Sequence, residues 1–134
     1  VGGPLNRVCM TYFCLPPEEV IGLNRGLIAN DFNVLDRGKL EGALAAPVQT
    51  FGGQYLIPSV TGRAAELLVA LVKAHAFADG NKRTAWVCAA SYLNLEGFDL
   101  GEIDAEEVAC FVEGVALDVH DRDSAAAWFS DRLR

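Results

Sequence analysis

The sequence predicts an all-α protein: a compact bundle of about six helices around a central helix, with a short β-hairpin flap. Apolar residues recur at helical spacing in six segments, and the stretch 46–60 interrupts that pattern. The chain has 134 residues, of which 51% are apolar and 22% charged. A chain of this length buries about two-thirds of the surface that its unfolded form exposes, so a single domain over residues 1–134 is expected.

The first two helices and the hairpin have recognisable local signals. Pro16 and Pro17 are followed by Glu18 and Glu19, and a proline at the first helical position with acids in the first turn marks the start of a helix. The helical spacing that follows reaches a plausible stop at Asn30. Asp36 is expected to cap a short second helix. The residues that this helix is expected to bury are Leu40, Ala43 and Leu44. The run Phe51-Gly52-Gly53-Gln54-Tyr55 then predicts a hairpin or irregular flap.

Two longer helices follow the hairpin. The first is expected to begin at Thr61 or Gly62 and to run through Ala74. The second is expected to run from about Asn81 to Glu96. Because this second helix is apolar nearly all round, it is predicted to be the central helix of the bundle.

The last two helices are marked by acidic caps. Asp104 and Glu107 have the spacing of a capping box, with aspartate in the place of serine. Asp123 or Ser124 is expected to cap the final helix.

Charge and cysteine content exclude several classes of protein. The chain carries 11 basic and 18 acidic residues and a net charge of −7, which disfavours binding to nucleic acid. No apolar run approaches the roughly 20 residues that span a bilayer, and no signal pattern is present, so a cytoplasmic location is expected. The four cysteines lack zinc-site spacing. Cys88 and Cys110 are expected in the core, and a disulfide between Cys9 and Cys14 stays open, although reduced thiols are favoured.

One segment, His75–Ala85, lies between the two long helices and combines residue types that bind phosphate. A helix N-terminus offers unpaired N–H groups and partial positive charge. Gly80 allows the backbone to approach a ligand closely. An amide and two cations follow it at Asn81, Lys82 and Arg83.

The same segment contains a potential base and a potential metal ligand. The imidazole of His75 can take a proton from a hydroxyl group. The carboxylate of Asp79 is a hard oxygen ligand of the kind that magnesium prefers. A base, a metal carboxylate and an anion cradle within nine residues point to phosphoryl or nucleotidyl transfer.

These residues resemble the motif of the Fic/Doc superfamily, and specifically that of death-on-curing (Doc) toxins. The Doc pattern is His-x-Phe-x-(Asp/Asn)-(Ala/Gly)-Asn-Lys-Arg, and residues 75–83 match it at every specified position. Softer similarity extends over about residues 12–133. The AMP-transferring branch has glycine where this chain has Lys82 and a second arginine where it has Trp86. Some Doc toxins carry asparagine where this chain has Val87.

The resemblance implies the toxin of a bacterial toxin–antitoxin pair. Such a toxin is a protein serine/threonine kinase that transfers the γ-phosphate of ATP to a threonine hydroxyl of elongation factor Tu and so arrests translation. ATP and Mg²⁺ would be the cofactors, with His75 as general base and Asp79 as magnesium ligand. The implied nucleotide-binding residues are Gly80, Asn81, Lys82 and Arg83. The hairpin would lie beside the site and align the target, and a Phd-like cognate antitoxin would be the partner.

Two alternatives stay open. The first is a Fic-type transferase that moves AMP, or another nucleotide moiety, to a protein hydroxyl, although Lys82 and Trp86 argue against it. The second is a catalytically inactive Fic/Doc-fold protein that only binds a partner, although the intact motif argues against that.

Overall fold

The computed structural model describes residues 12–134, which form six α-helices and one two-stranded antiparallel sheet. The elements in chain order are α1 (Pro17–Ile28), α2 (Arg37–Ala45), β1 (Thr50–Phe51), β2 (Gln54–Tyr55), α3 (Val60–Ala74), α4 (Asn81–Leu95), α5 (Ala105–Ala116) and α6 (Arg122–Arg132). A single 3₁₀ turn, Ala46–Val48, joins α2 to β1. The predicted all-α class with a short hairpin is confirmed. Cys9, and with it the open disulfide, lies outside the described residues.

Local signals at α1, α2 and the hairpin act as predicted. Pro17 is the first residue of α1. The Asp36 carboxylate caps α2 by accepting a hydrogen bond from the Lys39 N–H at 3.0 Å. The residues that α2 buries are Leu40, Ala43 and Leu44. At the hairpin tip Gly52 and Gly53 have φ angles of 61° and 80°, the left-handed pair that a tight two-residue turn requires.

Two helices begin earlier than predicted because a different side chain caps them. α3 begins at Val60, since the Ser59 Oγ accepts a hydrogen bond from the Gly62 N–H at 3.0 Å. α6 begins just after Asp121, whose carboxylate accepts from the Ser124 N–H at 2.8 Å. In both cases the helix begins directly after a capping residue. The side-chain oxygen of that residue accepts a hydrogen bond from the N–H three positions later, which would otherwise be unpaired.

α5 begins where predicted but without the predicted capping box. The Asp104 side chain makes no capping hydrogen bond. The Glu107 carboxylate instead accepts a hydrogen bond from the Arg132 Nε at 2.8 Å, so it is not available to complete the box. Cys110, expected in the core, is exposed, because the inward stripe of this helix consists of other residues. That stripe is Phe111, Val112 and Val115.

α3, rather than the predicted α4, has the most neighbours in the bundle. It packs against α2, α4, α5, α6 and the 3₁₀ turn, and eight of its 15 residues are buried. α4 packs against α3, α1 and α5, but apolar residues on its other side line open grooves instead of a core. Among residues 12–134, the helices lack the combination of length and apolar character that would let one cross a membrane.

Candidate active site

The loop 75–80 joins α3 to α4 and turns the chain with two left-handed residues. His75 closes α3 with φ 47°, and Gly80 precedes α4 with φ 71°. The left-handed region is sparsely populated by residues other than glycine, so His75 is held there by its surroundings. Its side chain is exposed. The structure therefore presents the imidazole to solvent at the start of the loop.

A neighbouring segment of backbone holds this loop in place. The Leu35 N–H donates a hydrogen bond to the Ala76 carbonyl at 2.8 Å, and the Ala78 N–H donates to the Asn33 carbonyl at 2.8 Å. Between them Val34 and Phe77 form an antiparallel bridge. The Phe77 ring is buried and anchors the loop in the core.

The side-chain amide of Asn81 fixes the same loop from the other side. Its Nδ2 donates to the Phe77 carbonyl at 2.9 Å, and its Oδ1 accepts from the Phe77 N–H at 3.1 Å. Both polar ends of the amide are thus occupied by one backbone residue. Asn81 was expected to bind nucleotide, and its side chain in this arrangement shapes the loop.

A buried amide network that the motif did not reveal supports the turn into α4. Asn24 on α1 is fully buried, and its Nδ2 donates to the Asp79 carbonyl and to the Thr84 Oγ1, both at 2.9 Å. Its Oδ1 accepts from the Nδ2 of Asn33 at 3.1 Å, and that same Nδ2 donates to the Ile21 carbonyl at 2.9 Å. A polar residue on the apolar stripe of α1 is the signal that could have found it.

Gly80 is required by close packing as well as by its backbone angle. A Cβ at this position would lie 2.8 Å from the Ile28 Cγ2 and 3.2 Å from the Asn24 Nδ2. The first distance is shorter than real Cβ contacts and the second is tighter than an ordinary van der Waals contact, so a larger residue forces the Ile28 side chain or the loop to shift. The missing side chain lets the first turn of α4 sit directly against the C-terminal end of α1.

The first turn of α4 has the properties of an anion-binding site. Gly80 contributes no side-chain cap, so the leading N–H groups have no acceptor inside the helix. The Lys82 Nζ lies 2.6 Å from the Glu113 Oε1, and both side chains are about half exposed. An Nη2 of Arg83 donates to the Leu27 carbonyl at 3.3 Å. Two cations therefore stand at the surface beside unpaired N–H groups.

All six residues predicted for the site line one cavity of about 330 Å³. These residues are His75, Asp79, Gly80, Asn81, Lys82 and Arg83. Most of its polar wall comes from the loop and the first turn of α4, while Val72 and Ala116 close the sides. A cavity of this size falls within the range of small-molecule sites.

Asp79 is suited to a cation that is held mainly by phosphate. Its Oδ1 accepts a hydrogen bond from the Gly80 N–H at 2.7 Å, which orients the exposed carboxylate. Over residues 12–134 no cluster of three or more histidine, cysteine or acidic side chains could hold a metal ion by itself. Magnesium commonly uses one or two protein carboxylates together with substrate phosphates and water, so a single carboxylate fits it here.

The base of the hairpin is held near the end of α3 opposite this cavity, whereas the resemblance implies a hairpin beside the site. An Nη1 of Arg63 donates to the Ile57 and Pro58 carbonyls at 2.9 and 3.0 Å, and the Nε donates to the Tyr92 hydroxyl at 2.9 Å. These bonds fasten the base of the hairpin to the first turn of α3 and the end of α4. Arg63 lies twelve positions before His75, which is about 18 Å along the helix. Within the described chain, no hairpin residue lines the cavity.

The two positions that depart from related motifs have apolar surroundings. Trp86 stacks on Phe129 with ring centroids 6.0 Å apart and meets the edge of Trp128 at 5.9 Å. Val87 lines an apolar groove of about 430 Å³ between α1, α4 and α5. Trp86 supplies packing where an arginine would supply charge, and Val87 supplies no polar contact.

Comparison with known proteins gives two matches. The model of the Fic/DOC family matches residues 14–93, which include α1, the loop 75–80 and most of α4. A protein named Toxin Doc from Mycolicibacterium smegmatis (strain ATCC 700084 / mc(2)155) is 35% identical over 114 residues. The aligned region covers 84% of this chain and 88% of that protein.

Proposed function

The chain belongs to the Fic/DOC family, and we propose that it is the toxin of a bacterial toxin–antitoxin pair. In this proposal it is a protein kinase that transfers the γ-phosphate of ATP to a threonine hydroxyl of elongation factor Tu and arrests translation. Family membership supports a transferase-type enzyme, and the likeness to Toxin Doc supports a toxin. The observation that supports phosphate transfer rather than AMP transfer is Lys82 in the first turn of α4, where the AMP-transferring branch has glycine.

The chemistry assigned to this chain begins with proton transfer. The exposed imidazole of His75 takes the proton from the acceptor hydroxyl, whose oxygen then forms a bond to the γ-phosphorus. The bond between that phosphorus and the bridging β-phosphate oxygen breaks, and ADP leaves with the bonding electron pair. The proton stays on the imidazole until solvent removes it.

Binding and charge stabilisation come from the first turn of α4. Its unpaired N–H groups and the cations of Lys82 and Arg83 face the phosphate oxygens and the charge that develops during transfer. In the structure Lys82 is paired with Glu113 at 2.6 Å, so phosphate competes with that carboxylate for the ammonium group. A net charge of −7 for the chain makes this local pair of cations decisive for anion binding.

Magnesium fits the same arrangement. Asp79 would hold Mg²⁺ together with phosphate oxygens and water, and the ion would neutralise phosphate charge. The hydrogen bond from the Gly80 N–H to the Asp79 Oδ1 keeps the carboxylate next to the cradle.

A cognate, Phd-like antitoxin is the proposed partner, and the proposed target implies that the reaction takes place in the cytoplasm. The name Toxin Doc of the relative supports the pairing. Expression of the chain alone is expected to stop growth, and co-expression with the antitoxin is expected to restore it. Equal growth arrest by the His75→Ala variant would contradict the catalytic role of His75.

The experiment that tests the reaction separates the two ends of ATP. The purified chain and its His75→Ala variant are incubated with Mg²⁺ and a bacterial lysate, with ATP labelled on either the γ- or the α-phosphate. A protein band labelled only from the γ position, and lost in the variant, is expected, and mass spectrometry identifies the band. Label from the α position would establish AMP transfer instead. Nucleotide binding without any transfer would favour a protein that only binds a partner.

A further inference from the structure

Exposed apolar side chains lie beside the catalytic loop on the segment of residues 30–36. Phe32 is 91% exposed and Leu35 is 70% exposed. We propose, resting on the function proposed above, that these two side chains form the docking surface for the protein acceptor. The acceptor is expected to bind as an extended segment with apolar side chains next to its hydroxyl group.

The position of this surface follows from hydrogen bonds to the loop. The Leu35 N–H is 2.8 Å from the carbonyl oxygen of Ala76, the residue that follows His75. Phe32 directly precedes Asn33, whose carbonyl accepts from the Ala78 N–H at 2.8 Å. Both exposed side chains therefore belong to residues at or next to a backbone contact with the loop that carries the base.

The segment is rigid, although its apolar side chains are exposed. The buried amide of Asn33 ties it to α1 through Ile21 and Asn24. The Phe32 N–H donates to the Asn30 Oδ1 at 3.0 Å, which fixes the backbone just before it. A pre-ordered surface loses little conformational entropy when it binds a partner, and exposed aromatic side chains on such a surface are typical binding anchors.

The hairpin is the competing docking surface, and its location disfavours it. Phe51, the last residue of β1, is 81% exposed, but the hairpin base is fastened at Arg63, about 18 Å along α3 from His75. An extended segment of four residues spans about 13 Å. A segment of that length with its hydroxyl at His75 stops short of the hairpin base, whereas the Leu35 N–H lies 2.8 Å from the carbonyl oxygen of Ala76, the residue after His75.

Charge next to the surface narrows the class of acceptor further. Asp31 has a side chain that is 93% exposed, and its carboxylate forms a 3.9 Å ion pair with Arg25. Asp36 is exposed at the other end of the segment. Carboxylates at both ends repel acidic residues and tolerate basic ones. The acceptor segment is therefore expected to be apolar around the hydroxyl and to lack acidic neighbours.

The test compares two matched pairs of substitutions. The first variant carries Phe32→Ala and Leu35→Ala. The control carries Phe51→Ala and Leu95→Ala, which remove the same side chains at similar exposure, 81% and 70%, away from the loop. For each variant four quantities are measured: the KM for elongation factor Tu, the proposed acceptor, the kcat of phosphate transfer from labelled ATP, the Kd for ATP and the Tm. The first variant is expected to raise the acceptor KM at least about tenfold, with kcat, ATP affinity and Tm close to those of wild type.

Each outcome separates this inference from the function on which it rests. An acceptor KM that rises in the Phe51 and Leu95 control but not in the Phe32 and Leu35 variant would assign docking to the hairpin and overturn the inference. Equal effects of both pairs, or a matching loss of ATP affinity, would also overturn it. If the wild-type chain transfers no phosphate, the proposed function fails and the inference falls with it. If wild type transfers phosphate and the first variant matches it, the inference alone fails.

Discussion

Replacing Asn24 with alanine tests whether the buried amide network holds the turn from Asp79 into α4, where we propose that phosphate binds. Asn24 is fully buried and makes three hydrogen bonds, to the Asp79 carbonyl, the Thr84 hydroxyl and the Asn33 amide. The substitution removes all three bonds and leaves the Thr84 hydroxyl and the Asn33 amide buried without this partner. The Asp79 carbonyl, which lies next to Gly80, loses the contact that ties the turn to α1.

The expected cost follows from the number of bonds. A hydrogen bond lost inside a protein costs about 1 kcal/mol, and more where the partner stays unsatisfied. Three bonds predict a loss of about 3 kcal/mol in the free energy of unfolding. At about 3–4 °C per kcal/mol for a domain of this size, the Tm is expected to fall by about 10 °C.

The assay combines stability with nucleotide binding. Urea and thermal unfolding of Asn24→Ala are compared with those of Asn94→Ala, which changes an exposed asparagine on α4 and is expected to be neutral. Thr84→Val removes one partner only and is expected to cost about 1 kcal/mol. The loss of stability in the Asn24→Ala/Thr84→Val double variant should be about 1 kcal/mol smaller than the sum of the two single losses, because both substitutions remove the same hydrogen bond. The Kd for ATP is expected to rise in Asn24→Ala more than in Asn94→Ala.

Two results would refute this reasoning. If Asn24→Ala stays within about 0.5 kcal/mol of wild type, the network does not stabilise the fold. If the losses in Asn24→Ala and Thr84→Val add without coupling, the 2.9 Å contact between these side chains carries no energy.

Two further predictions concern packing and thiol chemistry. Gly80→Ala is expected to lower the free energy of unfolding by about 2–4 kcal/mol and to weaken ATP binding. The added Cβ would be strained by the left-handed backbone and would lie 2.8 Å from Ile28 and 3.2 Å from Asn24. Unchanged unfolding curves would contradict this account. A maleimide at pH 8 is expected to label the Cys110 peptide and spare the Cys88 peptide, because burial raises the pKa of the Cys88 thiol to about 12 and the reactive thiolate is scarce until the pH approaches that value. Peptide mapping checks this, and equal labelling before and after denaturation would refute it.

The motif of residues 75–83 was the part of the candidate site most readily predicted from the sequence. Its residues lie within nine positions and their placement depends on one loop and one helix end, so the spacing alone puts them on one cavity wall. The start of α1 and the tight turn of the hairpin were predictable for the same reason. Pro17 restricts its own backbone, and Gly52 and Gly53 supply the left-handed angles that the turn needs.

Expectations failed where a distant residue decided the outcome. The predicted capping box at α5 is absent because Arg132, 25 positions away, engages Glu107. Cys110 was expected in the core because it lies in an apolar stretch. Its side chain is exposed, because another face of α5 packs against the bundle. The hairpin was expected at the active site, and its fastening through Arg63 holds its base at the opposite end of α3.

By itself the sequence determined the helical class, the hairpin and the residues that line the candidate site, because those signals act within a few positions of the chain. Only the tertiary structure decided which elements meet. The bonds from Asn24 to Asp79 and Thr84 join residues 55 and 60 positions apart, and no local pattern encodes such a pairing. The physical reason is that a buried polar group is stable only with a partner that folding brings to it, so its role is defined by the packed chain.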